Sequence, residues 1–490
     1  MRLTPATPAP VPTKDTSVRW PAYDPEKLGI GILHLGLGAF ARAHLCAYTD
    51  SALAAGLGDW RVLGASLRGT EVAEALNPQG GRYTLLVRSD STQANVVGAL
   101  AGVLAGPKVG AEILAAMQAP GCRIVSLTVT EKGYGLLRTG GCDLDHAAVA
   151  ADLAQPDAPS GVLGLLAMGL KQRFDAGLAP FTVMSCDNLP DNGHLLRQAV
   201  IDFARRAYGA DLADRIAAEV AFPATMVDRI TPRSTQSTFA DAAQLIGAED
   251  LAAVETEPFA QWVIEDHFPA GRPAWEAMGA TFTANVRPYE AMKLRMLNGS
   301  HSMLAYAGFL SGKTYVRDVM ADPSLSALVA RHLSAAAASL PAGDLDLAGY
   351  ASALEARFAN PAIAHATAQI AMDGSQKMPQ RIFAAAGDTL ANGGDLAAFA
   401  FATAAWMRYA LGRDDAGQVY GLNDPREAEI LTALQGAETA SAIFDALAAL
   451  PELLPAALND ADFRNACVSR LETMLSIGMI RAIAQEAQQH

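Results

Sequence analysis

The stretch Leu28-Gly29-Ile30-Gly31-Ile32-Leu33-His34-Leu35-Gly36-Leu37-Gly38-Ala39-Phe40-Ala41 runs an apolar segment of strand length into a GxGxxA loop. A helical pattern over residues 40–55 follows it directly. Gly36 permits a tight turn, and Gly38 lets the backbone approach a pyrophosphate. Alanine at the third position still allows close helix–strand contact, and the helix N-terminus favours an anion. A GxGxxG-like loop alone is weak evidence in a chain with 42 glycines. The strand before it and the helix after it favour a dinucleotide loop over a bare turn. Gly36, Gly38, Ala39 and Phe40 are the expected cofactor contacts.

The same signal repeats downstream. Residues 61–66, 83–87, 123–130 and 180–185 read as short apolar strands, with helical patterns at 109–117 and 162–176 between them. This alternation predicts an α/β fold, a mainly parallel Rossmann-type sheet with helices on both faces. The 83–87 strand and residues 95–100 add a hairpin-like excursion. After about Pro288 the sequence turns Ala- and Leu-rich with helical periodicity, and no strand pattern remains. The apolar stretch 396–407 reads as a buried helix. We therefore expect a Rossmann-type dinucleotide-binding domain over 1–286, with 1–20 as a flexible arm, and a mostly helical substrate-binding domain over 287–490.

Composition bounds the rest. At 490 residues, two domains are the default. Hydrophobic residues make up 51% and charged residues 18%, so the chain is globular rather than disordered. A net charge of −14 argues against nucleic acid or an anionic membrane surface as the main partner. The five cysteines are scattered, without CxxC, which argues against a disulfide framework or structural zinc and fits a cytoplasmic protein. There is no secretory h-region and no membrane-length apolar run. A monomer or small homo-oligomer is expected.

The second informative stretch is Tyr289-Glu290-Ala291-Met292-Lys293-Leu294-Arg295-Met296-Leu297-Asn298-Gly299-Ser300-His301. At about 100° per residue, Asn298 lies about 140° around a regular helix from Lys293, His301 about 80° and Glu290 about 60°. Four polar side chains then share half of one apolar helix. A Lys amine buried among apolar groups tends to lose its proton, and a neutral Lys is a general base near pH 7. A surface Lys beside a core His is the bland alternative, and Met292, Leu294, Met296 and Leu297 argue against it.

Other candidates lie at strand ends. Ser66 and Arg68 follow the second strand where an acid would meet the ribose of NAD. Its absence leaves NADP possible through Arg68. Thr130 and Glu131 end another strand and are placed to approach a nicotinamide. Asn188, in Ser185-Cys186-Asp187-Asn188, is a candidate donor to an alkoxide, or an Asn satisfying its own loop. Asp228 and Arg229 read as a cofactor-side acid or as an ion pair in a turn. No HxH, HExxH or Cys/His ligand set supports a metal, and no GxSxG supports a hydrolase.

These pieces resemble the polyol-specific long-chain dehydrogenases, the family of mannitol 2-dehydrogenase and fructuronate reductase (D-mannonate oxidoreductase). The resemblance rests on HLGLGAFARAH (34–44), SLTVTEKGY (126–134), FTVMSCDNLPDNGH (181–194), FPATMVDRITP (222–232), EPFAQWVIED (257–266), GRPAWEAMGATF (271–282), PYEAMKLRMLNGSHSMLAYAGFL (288–310) and AMDGSQKMPQR (371–381). It implies metal-independent, NAD(P)-dependent interconversion of a secondary alcohol and a ketone on an open-chain sugar alcohol or sugar acid. It implies Lys293 as the catalytic base, Asn188 and Asn298 as polarisers of the reacting oxygen, and His301 as a substrate contact. Glu290 matches the family's gating Glu, Asp228 its cofactor-side Asp, and Lys377 the substrate-contacting Lys of DGSxK.

Departures bear on the substrate. Ala41 stands where members often carry His. Gln369 stands where mannitol dehydrogenases carry Arg. QIAMDGSQKMPQR is closer to fructuronate reductases, although those tend to carry an Arg upstream where this chain reads AIAHATAQ. A sugar carboxylate wants an ammonium or guanidinium partner, which leaves Lys377 and Arg381. The expectation is D-mannonate/D-fructuronate, with D-mannitol/D-fructose or another polyol as the alternative. A non-catalytic dinucleotide sensor is the remote alternative, since it has no need of the Lys-Asn-His set.

Overall fold

The computed structural model describes residues 2–7, 18–56, 58–106, 108–130, 133–137, 139–341, 343 and 345–489. The chain forms two compact units, Met1–Arg287 and Pro288–His490.

The first unit is built on a five-stranded sheet. Its strands lie in the order Leu100–Leu104, Arg61–Ala65, Ile30–Leu35, Ile124–Leu127, Thr182–Ser185. Every neighbouring pair is parallel. The chain builds outward from Ile30–Leu35 on one side, then returns to build the other. The topology therefore switches at the C-terminal end of Ile30–Leu35, where open α/β sheets bind ligands. Alternation along each strand serves two cores. Ile32 and Ile124 pack with Tyr48, Trp262 and Trp275 on one face. Leu33 and Val125 pack with Leu166 and Phe203 on the other. Burial on both faces explains why these strands read as nearly unbroken apolar runs.

The excursion after the second strand is a hairpin, Tyr83–Arg88 antiparallel to Thr92–Val97. It belongs to a separate four-stranded sheet with Val18–Arg19 and Val254–Thr256. A third sheet joins Thr225–Asp228, Gln261–Glu265 and Thr281–Thr283. The 83–87 strand and its hairpin match the expectation, although they stand in a sheet of their own; Val254–Thr256 and the strands of the third sheet were not expected, because each is short.

Three expectations need correction. Described parts of the N-terminal segment are not a loose arm: Leu3 is buried and its N–H bonds to the Glu249 carbonyl at 2.8 Å. Val18–Arg19 pairs as a parallel strand with Thr92–Val97. The helix read over 40–55 is two helices, Ala39–Ala43 and Leu45–Ala54, broken at His44. There the His44 ring is stacked on Phe40 at 5.0 Å and set edge-on to Trp262 at 5.2 Å. The strand read over 123–130 ends at Leu127. Beyond it the Thr128 hydroxyl donates to the Gly36 carbonyl at 2.8 Å, and the Val129 N–H turns to Asp187 at 2.8 Å.

The second unit is helical. Among its described residues there is no strand, only the isolated bridges Tyr315↔Ala366 and Arg413↔Val419. Helix Ala397–Ala410 is buried nearly all round, as its uniform apolar character demands. No helix among the described residues is long and apolar enough to cross a membrane.

Candidate active site

The glycine loop is shaped by two different constraints. Gly36 has φ +88°, and a Cβ there would run into the Thr128 carbonyl. Only glycine fits. Gly38 has an ordinary φ of −96° and is exposed, and a Cβ would have only the Gly36 carbonyl for company, at 3.9 Å. Nothing in the protein requires glycine at 38. The open space above it suits a group that approaches the backbone, as a pyrophosphate does. Ala39 and Phe40 begin the following helix, half-buried.

Beneath the loop lies a buried relay. The His34 ring nitrogens sit 2.9 Å from the Ser126 and Thr128 hydroxyls, and Thr128 in turn holds Gly36. Burial drives the His34 pKa down to about 3, so the ring is neutral. It holds the loop without placing a cation under it.

Asp187 ties together the loops after the neighbouring strands. It accepts from the Val129 N–H at 2.8 Å, the Thr130 N–H at 3.2 Å and the Tyr134 hydroxyl at 2.7 Å. Thr130 is exposed and held at φ +67°, a strained conformation for a β-branched residue. Asn192 braces the other side: its amide donates to the Ser185, Asp187 and Thr225 carbonyls at 3.3, 3.1 and 2.9 Å. Between these two anchors Asn188 is presented as an exposed residue. Asp187 and Asn192 have no assigned part in the sequence alone. Their only signal was an acid and an amide flanking a strand-end Asn.

The remaining residues expected on the cofactor side are dispersed. Ser66 directly follows its strand, with its N–H on the Leu104 carbonyl at 2.8 Å, and Arg68 is exposed. Glu131 lies outside the described residues. Asp228 is buried at the end of its strand. Its neighbour Arg229 donates to the Ala43 carbonyl and, at 3.2 Å, to the Glu257 carbonyl. Burial lowers the Arg229 pKa to about 10.

In the second unit the Lys293 helix is not regular. Arg287–Met292 and Gly299–Leu310 are α-helical, but Lys293–Asn298 between them is a π-helical turn. Bonding from i to i+5 brings side chains five residues apart toward the same face. Lys293 and Asn298 are five apart. The wide separation expected on a regular helix is therefore wrong, and the two side chains face more nearly together. Lys293 is 9% exposed and Asn298 half-buried. Glu290 is half-buried one turn earlier.

A second π-helical turn, Pro379–Phe383, packs against the first. Pro379 lacks the N–H that a regular helix would need there, which favours the wider turn. Gly299 makes the close approach possible: a Cβ there would stand 2.9 Å from the Arg381 carbonyl. Arg381 Nη1 lies 3.4 Å from the Ser302 hydroxyl and 3.5 Å from the Asn298 carbonyl.

His301, on the helix after the first π turn, is buried against Phe358 at 4.7 Å and His365 at 5.3 Å. Burial, then His365, Arg381, Arg357 and Lys377, holds its pKa well below the usual value. Lys377 donates to the Met372 carbonyl at 2.6 Å and the Ile370 carbonyl at 3.2 Å. These carbonyls lie at the C-terminal end of helix Thr367–Ala371, a favourable place for a cation. The DGSQK segment is locked. Asp373 has φ +57°, Ser375 binds Asp424 through its N–H (2.7 Å) and hydroxyl (2.5 Å), and a Cβ on Gly374 would stand 2.6 Å from the Trp406 indole nitrogen. Gln369 is exposed on that short helix.

Residues 30–277 match the family profile described as Mannitol dehydrogenase Rossmann domain, and residues 285–474 that described as Mannitol dehydrogenase C-terminal domain. The chain belongs to the mannitol dehydrogenase family. It is 43% identical to mannitol 2-dehydrogenase of Cereibacter sphaeroides, covering 84% of this chain and 87% of that protein. It is 40% identical to D-mannonate oxidoreductase of Escherichia coli (strain K12), covering 95% and 97%. Among solved structures, the Pseudomonas fluorescens mannitol 2-dehydrogenase ternary complex with NAD and D-mannitol is similar with a TM-score of 0.83, at 35% identity over 97% of each chain. The chain is thus an oxidoreductase of this family.

Proposed function

We propose that the protein interconverts D-mannonate and D-fructuronate with NAD as cofactor. The observation that carries the reaction class is the π turn. It brackets a buried Lys with an Asn five residues on, and a buried His follows on the next helix. Lys293 takes the proton from the substrate hydroxyl. Asn188 and Asn298 donate hydrogen bonds to the oxygen as charge develops on it, the role of oxyanion donors generally. His301 orients the substrate, and Glu290 gates the proton path. Gly36, Gly38, Ala39 and Phe40 hold the dinucleotide, flanked by Ser66, Thr130 and Asp228. Arg68 offers NADP a phosphate partner. The nicotinamide, when bound, supplies the acceptor for the hydride.

The choice of a sugar acid rests on Lys377 and Arg381. Both are cationic, and a carboxylate favours such partners. It also rests on Gln369, which offers no charge where mannitol dehydrogenases are expected to carry Arg. The near full-length likeness to a D-mannonate oxidoreductase supports it. The second reading, D-mannitol/D-fructose, is supported by the likeness to mannitol 2-dehydrogenases. Turnover of D-mannonate, D-mannitol, D-arabinitol and D-sorbitol with NAD and with NADP separates them. D-mannonate with NAD should give the highest kcat/KM. A clear preference for a neutral polyol would overturn the substrate, and failure of all four would overturn the activity.

A further inference from the structure

His365, in the second unit, takes no part in the proton transfer. Its backbone carbonyl is held by the Val316 N–H at 3.0 Å, and the next residue, Ala366, bridges Tyr315. The ring is thereby fixed immediately before helix Thr367–Ala371, edge-on to His301 at 5.3 Å. Lys377 is bound to the other end of the same short helix, through Ile370 and Met372. That helix is therefore a rigid spacer between His365 and Lys377. His301 Nε2 and His365 Nδ1 are both buried without a hydrogen-bond partner among the described residues.

The charges around this trio have one dominant sign. The groups that act most strongly on His301 are His365, Arg381, Arg357 and Lys377. Burial, and after it Lys377, pushes His365 toward its uncharged form; burial, and after it Arg381, does the same to Lys377. The acids near the trio are Asp373, 3.8 Å from Lys377, and Asp424, which is already bound by Ser375. Groups that disfavour one another's charge are relieved by an anion placed among them. Two unpartnered ring nitrogens offer it hydrogen bonds.

We infer that His301, His365 and Lys377 form a subsite for the carboxylate of an acidic sugar, and that His365 sets the preference for a sugar acid over a sugar alcohol. The inference rests on the oxidoreductase reading above and assigns its substrate's anionic end. It also accounts for the uncharged Gln369: the cation is supplied from His365 instead. Binding the carboxylate raises the proton affinity of the imidazoles. The sugar acid should therefore bind with proton uptake, and more tightly as the pH falls from 8 to 6.

The test compares the full-length protein with His365→Gln and His365→Lys. The readouts are the KM of D-mannonate and of D-mannitol, or the inhibition constant where a compound is not turned over. We expect His365→Gln to weaken D-mannonate relative to D-mannitol at least tenfold, through KM rather than kcat. It should also flatten the pH dependence of the D-mannonate KM. His365→Lys should restore much of the preference. An unchanged ratio in His365→Gln would overturn the subsite while leaving the D-mannonate activity standing. If D-mannonate is only a competitive inhibitor, the proposed substrate falls. The subsite then stands if His365→Gln weakens that inhibition tenfold, and falls if it does not or if D-mannonate does not bind at all.

Discussion

Gly299 lies so close to Arg381 that a Cβ on it would stand 2.9 Å from the Arg381 carbonyl and 3.2 Å from the His332 ring. The contact joins the two π turns that carry Lys293, Asn298 and Arg381. Backbone cannot yield as a flexible side chain does. Gly299→Ala should therefore push the turns apart, at about 1–3 kcal/mol of stability, typical of an overpacked core. Thermal unfolding should show a lowered Tm, and kcat should fall with NADH affinity retained. A stable, fully active variant would show that the turns tolerate separation.

The two loop glycines should fail differently. Gly36→Ala meets both a positive φ and the Thr128 carbonyl, so it should lose stability and cofactor binding together. Gly38→Ala meets open space and should fold with an unchanged Tm. Its NADH dissociation constant, followed by fluorescence, should nevertheless rise at least about tenfold, because the pyrophosphate needs that space. Unimpaired NADH binding by Gly38→Ala would mean that the dinucleotide does not approach the loop there.

Asp187 holds Val129, Thr130 and Tyr134 at once. Asp187→Ala strands two backbone donors and frees a strained loop. The Thr130 N–H is exposed and can turn to water, but the part-buried Val129 N–H left unpaired costs about 1–3 kcal/mol. We expect a lowered Tm and a kcat loss of at least tenfold, since Asn188 follows Asp187 directly. Normal kinetics would show that Asn188 is positioned by something else.

Acid should weaken both units. Burial lowers the pKa of His34 to about 3 and that of His332 to about 4. In the unfolded chain each takes up a proton near about pH 6.5. Their depressed folded values contribute stability that is whole above about pH 6.5. It is lost as the pH falls toward 4, at up to about 1.4 kcal/mol per pH unit each. Urea unfolding at pH 7.5 and 5 should show lower stability at pH 5. His332→Leu should reduce the difference. A midpoint that rises at pH 5 would contradict the assignment.

Much of the fold was legible because its signals are local. The Gly36 loop, the doubly buried strands and the buried helix Ala397–Ala410 each follow from periodicity and a few turn residues. The hairpin Tyr83–Val97 was partly legible for the same reason. What escaped depends on partners distant in sequence. The break at His44 is associated with Phe40 and Trp262 packing, and the early end of Ile124–Leu127 with Gly36 and Asp187. The π turn at Lys293–Asn298 was invisible to a rule that assumes one helical period. Only Pro379, the first residue of the second π turn, gives a readable warning of such a break. The grouping of His301 with His365 needed coordinates, since 63 intervening residues carry no pattern that joins them.

The central claim is that Lys293 is the proton acceptor in the oxidation. The most direct measurement is single-turnover oxidation of the preferred substrate by Lys293→Ala at neutral pH, alongside NADH binding by fluorescence. The account predicts a rate lowered by about 10²–10⁴-fold, the usual contribution of a general base, with the NADH dissociation constant unchanged. Turnover within a few-fold of the wild-type rate, with the variant folded and binding NADH, would contradict it.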